Sequence, residues 1–261
     1  MTGLDLVARL CGGNLQHCQV GSCEITLDPG PIGAGQFVAD TGTAGSICLL
    51  MQVAVPCLLF ASADCSLTLK GGTNCDMAPQ IDYTTMVFKP MAEKFGMHFD
   101  LDIRRRGYFP KGGGEVVVTS HPSSGLVAVP DALIERGEVV RVYSRSFVAG
   151  NLPPHVSTPA EDTGRAAVTE LLDAASSGGA VDQYLQDQLI LLMALAKGQS
   201  RMLCGPLTLH TQTAIHIARL LTKAEFSLEH IDSEEGKETC MLVCEGIGHI
   251  NSHLQLPAES S

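Results

Sequence analysis

The chain has 261 residues, enough for one large domain or two small ones. Asp and Glu number 28 against 17 Lys and Arg, a formal net charge of −11, and 45% of residues are hydrophobic against 17% charged. These proportions exclude a disordered tail, predict a substantial buried core, and argue against a protein that coats nucleic acid by charge alone. An enzyme that grips one end of a strand stays open.

No apolar run reaches the length needed to span a bilayer, so no membrane role is expected. The residues after Met1 lack the charged-then-apolar pattern of a signal peptide. The ten cysteines are scattered through apolar stretches rather than spaced as a disulfide framework. They read as buried, reduced thiols of an intracellular protein. Cys240 and Cys244 are too far apart for a CxxC pair, which argues against structural zinc.

In chain order, residues 4–10 form a short amphipathic helix, and Gln19 with residues 24–27 brackets a strand pair. Residues 45–60 are apolar almost throughout and read as a buried helix. Residues 66–69 alternate as a short strand. Residues 79–95 place Ile81, Met86, Val87, Met91 and Phe95 at roughly helical spacing, ended by Gly96. Two strands follow, 98–105 and 115–120, joined by a Gly-rich turn. Residues 151–164 are loop-like, and a helix then runs to about Ala175. Residues 176–179 form a flexible link. Residues 181–196 read as a helix closed by Gly198, 201–209 as a strand, and 213–224 as a helix. Residues 226–231 and 239–245 make a hairpin. The tail after Gly248 is expected to fray.

An internal repeat organises this list. Residues 67–73 line up with 207–213, and 49–51 with 191–193; the same order of helix, strand, helix and hairpin surrounds both pairs. Residues 4–27 resemble half of a further copy. The expected fold class is therefore α/β, in α+β layers of tandem βα repeats, with the first repeat truncated. The expected division is a first part of the repeat domain (1–150), a linker and helix (151–179), a last repeat (180–248) and a tail (249–261).

His210 is the most informative single residue. It is expected where a strand ends and a helix begins, with Thr211 or Thr213 as N-cap. Free N–H groups and the helix dipole make that a place for phosphate, and a histidine beside phosphate can act as nucleophile. A capping or hydrogen-bonded histidine is the plain alternative. Lys70 occupies the matching position of the repeat.

The run Arg106-Gly107-Tyr108-Phe109-Pro110-Lys111-Gly112-Gly113-Gly114-Glu115 is the second feature. It reads either as a phosphate-receiving turn served by Lys111 and Arg104 to Arg106, or as a hairpin whose glycines solve geometry. Tyr184, Asp187 and Gln188 share one face of an apolar helix, so they bind a nucleotide or join a buried network. Gln52 poses the same question on its own helix.

The Arg-Gly-x-x-Pro-x-Gly-Gly-Gly run resembles the signature of RNA 3′-terminal phosphate cyclases. The segments Gly71-Gly72-Thr73-Asn74, Met77-Ala78-Pro79-Gln80-Ile81-Asp82-Tyr83, Tyr184-Leu185-Gln186-Asp187-Gln188 and Leu209-His210-Thr211-Gln212-Thr213 are similar to that family, in its order. The wording is most similar to the eukaryotic nuclear type. The resemblance implies ATP-dependent adenylation of His210, transfer of AMP to an RNA 3′-phosphate, and closure by the 2′-hydroxyl to a 2′,3′-cyclic phosphate. It further implies that Gln52, Pro79, Tyr184, Asp187 and Gln188 contact the nucleotide, that a divalent metal such as Mg2+ is needed, and that the protein works in the nucleus. Its partner is RNA with a 3′-terminal phosphate.

The family's N-terminal segment and small inserted domain are missing from this reading, so a catalytically impaired variant or an RNA or ribosome-assembly scaffold is the alternative. A phosphoenolpyruvate-using transferase on the same repeat fold is a third, opposed by His210 and the triple glycine. Oligomeric state is not legible.

Overall fold

The computed structural model of the chain describes residues 1–135, 137, 160–232 and 238–254. The chain divides into two compact units: Met1–Ala128 with Leu195–Gly198 and Ile247–Ser261, and Val129–Ala194 with Gln199–Gly246. Both mix helices and sheets, as the sequence predicts. No described helix is long and apolar enough to cross a membrane.

The first unit opens with α1 (Thr2–Leu10), which buries Leu6, Ala8 and Leu10. Arg9 is held by Asp5 at 3.0 Å and donates to the Val38 carbonyl at 2.8 Å. A small antiparallel ribbon follows, β1 (Asn14–Gln16) and β2 (Thr26–Asp28). Its first strand lies before Gln19, which sits in a bend rather than in the expected strand.

The main sheet of this unit contains β3 (Gln36–Asp40), β4 (Cys65–Gly71), β5 (His98–Arg105) and β6 (Gly114–His121), ordered β3-β4-β6-β5. β3 and β4 run parallel, and the other pairs antiparallel. Helix α2 (Ile47–Leu58) supplies the crossover between the parallel strands, as parallel pairing requires. Ser46 caps it by accepting from the Leu49 N–H at 3.3 Å. Strict alternation buries Cys65, Leu67 and Leu69 of β4 and Val116 and Val118 of β6, which with Leu50, Ala54 and Leu58 make the core. The predicted helix over 79–95 is one continuous helical run: α3 (Ile81–Tyr83), a π-turn (Thr84–Phe88) and α4 (Lys89–Lys94).

The second unit holds α5 (Ala160–Ser176), α6 (Leu185–Leu195), β7 (Lys197–Cys204), α7 (Leu209–Thr222) and the hairpin β8 (Glu225–Asp232) and β9 (Glu238–Ile247). Its sheet is ordered β7-β9-β8. The helix expected from Val181 starts at Leu185, because the Asp182 carboxylate accepts the N–H groups of Tyr184 and Leu185, both at 2.9 Å. Val181 instead bridges to Cys204. The strand expected over 201–209 starts four residues earlier and stops at Cys204; Gly205-Pro206 follows, and proline cannot donate to a ladder.

The repeat is present as an order of elements. The series α2, β4, helix, β5, β6 matches α6, β7, α7, β8, β9, and the strand orders β4-β6-β5 and β7-β9-β8 correspond. The matched strings 49–51 and 191–193 both lie in these helices, but 67–73 and 207–213 do not correspond. Leu67 to Leu69 are strand, whereas Leu207 and Thr208 precede a helix. Lys70 therefore lies inside β4 and is no counterpart of His210.

Of the frayed tail expected after Gly248, the described residues to Leu254 are corrected: Asn251 is 2% exposed. Its amide donates to the Ala61 carbonyl at 2.9 Å. Of the loop and insertion joint expected over 151–164, residues 151–159 lie outside the described residues, and the rest is corrected, since α5 already starts at Ala160.

Candidate functional site

Helix α7 starts four residues before the predicted position. Thr208 is its N-cap, with the hydroxyl accepting from the Thr211 N–H at 3.1 Å. His210 is thus the second residue of the helix and exposed, within the first turn whose N–H groups have no intrahelical partner. Neither Thr211 nor Thr213 caps it. Thr211 is fully buried, and the Thr213 hydroxyl donates back to the Leu209 carbonyl at 2.8 Å.

A buried polar knot fixes this turn. Gln186, 2% exposed in α6, accepts from the Thr211 hydroxyl at 3.1 Å and from the Thr208 N–H at 3.5 Å. The Thr208 and Thr211 hydroxyls lie 2.9 Å apart. Sequence reasoning missed Gln186. A signal was present, since a glutamine inside an apolar helix needs a partner.

Asp187 follows Gln186 and stands half-buried within electrostatic reach of His210. Burial pushes its carboxyl pKa up, and the positive charge available on His210 pulls it back. Tyr184 lies just before α6 and is 47% exposed. A hydrogen bond with Glu170 of α5 raises its phenol pKa, helped by desolvation. The Gln188 amide donates to the Tyr184 carbonyl at 2.6 Å. The second unit thus gathers Tyr184, Asp187, Gln188 and His210 around the start of α6 and the start of α7. The arrangement offers an exposed imidazole, a carboxylate within electrostatic reach of it and helix N–H groups that favour an anion.

Gln52 and Pro79 belong to the first unit, on different elements. Gln52 is half-buried in α2. Pro79 lies in the loop that precedes α3, next to Gln80, whose side-chain amide donates to the carbonyls of Cys75 at 2.8 Å and Ala78 at 3.2 Å.

The Gly-rich run is accounted for by packing. Arg106 makes a two-pronged pair with Asp82 at 2.6 and 2.8 Å. That pair raises the guanidinium pKa. Arg104 sits 3.4 Å from both Asp102 and Glu115, so two of the cations expected to receive phosphate face carboxylates. A Cβ on Gly107 would lie 2.2 Å from the Gly71 carbonyl and 2.3 Å from the Gly114 nitrogen. Three backbones therefore meet where only glycine fits. Gly112 and Gly113 take φ of 67° and 72°, the left-handed region.

Among the described residues, no group of three His, Cys, Asp or Glu side chains is placed to hold a metal ion.

A family model described as RNA 3′-terminal phosphate cyclase matches residues 1–228. A probable RNA 3′-terminal phosphate cyclase of Dictyostelium discoideum is 35% identical over 97% of this chain and 73% of its own length. RNA 3′-terminal phosphate cyclases of Pyrobaculum aerophilum and Drosophila melanogaster are each 29% identical over 95% of this chain, and over 85% and 84% of their own lengths. The Dictyostelium alignment runs to 317 positions against 261 residues here, so that relative carries internal residues without a counterpart in this chain.

Proposed function

The chain belongs to the RNA 3′-terminal phosphate cyclase family, and from that premise we propose that it converts an RNA 3′-terminal phosphate to a 2′,3′-cyclic phosphodiester at the expense of ATP. This makes it an enzyme of the ligase class. The observation that carries the reading is an exposed His210 in the first turn of α7, with the Asp187 carboxyl within electrostatic reach.

In this scheme a ring nitrogen of His210 attacks the α-phosphorus of ATP. The bond to pyrophosphate breaks, and the ring proton passes to solvent. AMP then moves from His210 to an oxygen of the RNA 3′-phosphate. The 2′-hydroxyl attacks that phosphorus, loses its proton and expels AMP. The Asp187 carboxyl, within electrostatic reach of His210, supplies negative charge beside the reacting ring. The N–H groups of the first turn of α7 stabilise charge on the phosphoryl oxygens. Tyr184 and Gln188 line the nucleotide side of this site. A divalent metal such as Mg2+, when bound, would neutralise charge on the phosphates. The nucleus is the proposed location.

The test is incubation with ATP labelled in the α-phosphate, followed by a denaturing gel. We expect a protein–AMP adduct that acid removes and that His210→Ala loses. An adduct of equal strength in His210→Ala overturns the assignment. The extra internal positions of the Dictyostelium relative favour a second reading, that adenylation survives while cyclisation is slow. An adduct without cyclic product on a 3′-phosphorylated RNA would select it.

A further inference from the structure

Gln186 links the start of α6 to the start of α7. It is 2% exposed, on a helix that otherwise buries Leu185, Leu189 and Ile190. An apolar side chain would serve that core as well, so the buried amide calls for another reason. Counting hydrogens supplies one. The Thr211 hydroxyl has a single hydrogen, and it goes to Gln186 Oε1 at 3.1 Å. The Thr208 hydroxyl, 2.9 Å from that of Thr211, must then donate to Thr211 Oγ1, while its own oxygen accepts the Thr211 N–H at 3.1 Å. The same Oε1 lies 3.5 Å from the Thr208 N–H. Gln186 thus sets the direction of the whole chain of bonds that caps α7.

The first turn of α7 has one buried side chain. Thr211 is fully buried, whereas Leu209, His210, Gln212 and Thr213 are exposed. His210 immediately precedes Thr211, so a roll of the turn about its buried anchor carries the imidazole with it. The donors of the turn are shared out as well. The Thr211 N–H is taken by the cap, and the Gln212 N–H by the Thr208 carbonyl at 3.0 Å. The N–H groups of Leu209 and His210 are the ones left to meet an anion.

We propose that Gln186 is a positioning residue for His210: by holding Thr208 and Thr211 it fixes the angle at which the imidazole, with the N–H groups of Leu209 and His210, meets the α-phosphate of ATP. The inference rests on the adenylation reading above. Gln186 acts from behind the turn and takes no part in bond making. Misplacing a reacting atom by about 1 Å can cost as much as about a hundredfold in rate, so the effect belongs in the rate of adduct formation rather than in nucleotide affinity.

The test follows adduct formation in a single turnover with ATP labelled in the α-phosphate, over a range of ATP concentrations, well below the melting midpoint of the least stable variant. We expect Gln186→Met to form the adduct about tenfold more slowly at saturating ATP, with half-saturation moved by less than about twofold. Thr211→Val gives the same readout should the first variant fold poorly, and Thr211→Ser, which keeps the hydroxyl, should restore the parental rate. Hydrogen exchange at the Thr211 and Gln212 N–H groups should quicken in Gln186→Met. A purely structural contact would lower the melt and leave the rate alone. Gln186→Met reacting at the parental rate, while His210→Ala forms no adduct, overturns the positioning role and leaves the adenylation reading standing. An adduct that persists in His210→Ala overturns both.

Discussion

Replacing Gln186 by Met probes the knot that holds the first turn of α7. Methionine keeps the length and much of the volume of the side chain, so packing changes little. What disappears is the acceptor for the Thr211 hydroxyl, at 3.1 Å, and a long contact with the Thr208 N–H, at 3.5 Å. The Thr211 hydroxyl keeps its neighbour Thr208 at 2.9 Å, so the loss is that of one buried hydrogen bond rather than of a wholly stranded group. That costs about 1–2 kcal/mol. For a domain of this size it corresponds to a melting shift of roughly 2–8 °C, at about 2–4 °C per kcal/mol. Thr211→Val should cost about the same, because it leaves the buried Gln186 carbonyl only its long contact with the Thr208 N–H. The double variant strands neither group, so it should be less destabilised than the two singles together by about 1 kcal/mol. Denaturant melts of the parent, both singles and the double measure this cycle. Strict additivity, or a Gln186→Met protein that melts with the parent, refutes the account of the knot.

Gly107→Ala should destabilise the first unit by about 3 kcal/mol, the upper range of overpacking, because its Cβ meets backbone that cannot give way; a melt unchanged to within a degree would contradict the three-backbone contact. His121 contacts Asp100 at 3.2 Å and Asp64 at 3.0 Å. The Asp100 hydrogen bond raises its pKa in the fold, desolvation opposes it, and Asp64 adds to the rise. Its contribution should be full below the unfolded value of about 6.5 and vanish as pH rises through the higher folded value. The stability gap between parent and His121→Gln should therefore narrow from pH 5 to pH 8, and a gap that widens with pH would reverse the sign. Asp187 has a raised carboxyl pKa, so the unfolded chain ionises it more readily and stability falls as pH rises through the folded value. Asp187→Asn should melt slightly higher than the parent at pH 8 yet form less AMP adduct, and a lower melt with an undiminished adduct would remove Asp187 from the site.

Elements with a clean period were legible in the sequence. The alternation of Leu67 and Leu69, and of Val116 and Val118, marks strands that bury one face, and the mostly apolar run around Leu50 to Leu58 marks a helix. β3 was not legible. It is a short strand in which Ala39 is buried and Val38 is 53% exposed, and its partner is some thirty residues away in the parallel register Gln36↔Ser66. The start of α7 was misplaced because Thr208, Thr211 and Thr213 are all acceptable caps locally; the pairing of Thr211 with Gln186 of another helix decides among them. The close approach of Gly71, Gly107 and Gly114 is likewise a tertiary fact that a string of glycines does not announce. The grouping of Tyr184, Asp187 and Gln188 on one turn was readable from spacing, but the reach of Asp187 to His210 depends on how α6 meets α7.

The seating of Asn251 bears on how the polypeptide acquires its shape. Its side chain reaches the carbonyls of Leu59 and Ala61, some 190 residues earlier, and its N–H donates to the Ser124 carbonyl at 2.9 Å. Nearby, Gly248 and His249 donate to the Ala196 and Leu195 carbonyls, both at 2.9 Å. The first unit is thus interrupted in sequence by the second and completed by residues made after it. During vectorial synthesis the sheet built from β3 to β6 must wait for that late segment, with the carbonyls beyond α2 left to water meanwhile. Deleting residues after Gly246 would accordingly be felt first in the unit that begins at Met1, far away along the chain, and a tag or fusion partner placed there would compete with its closure.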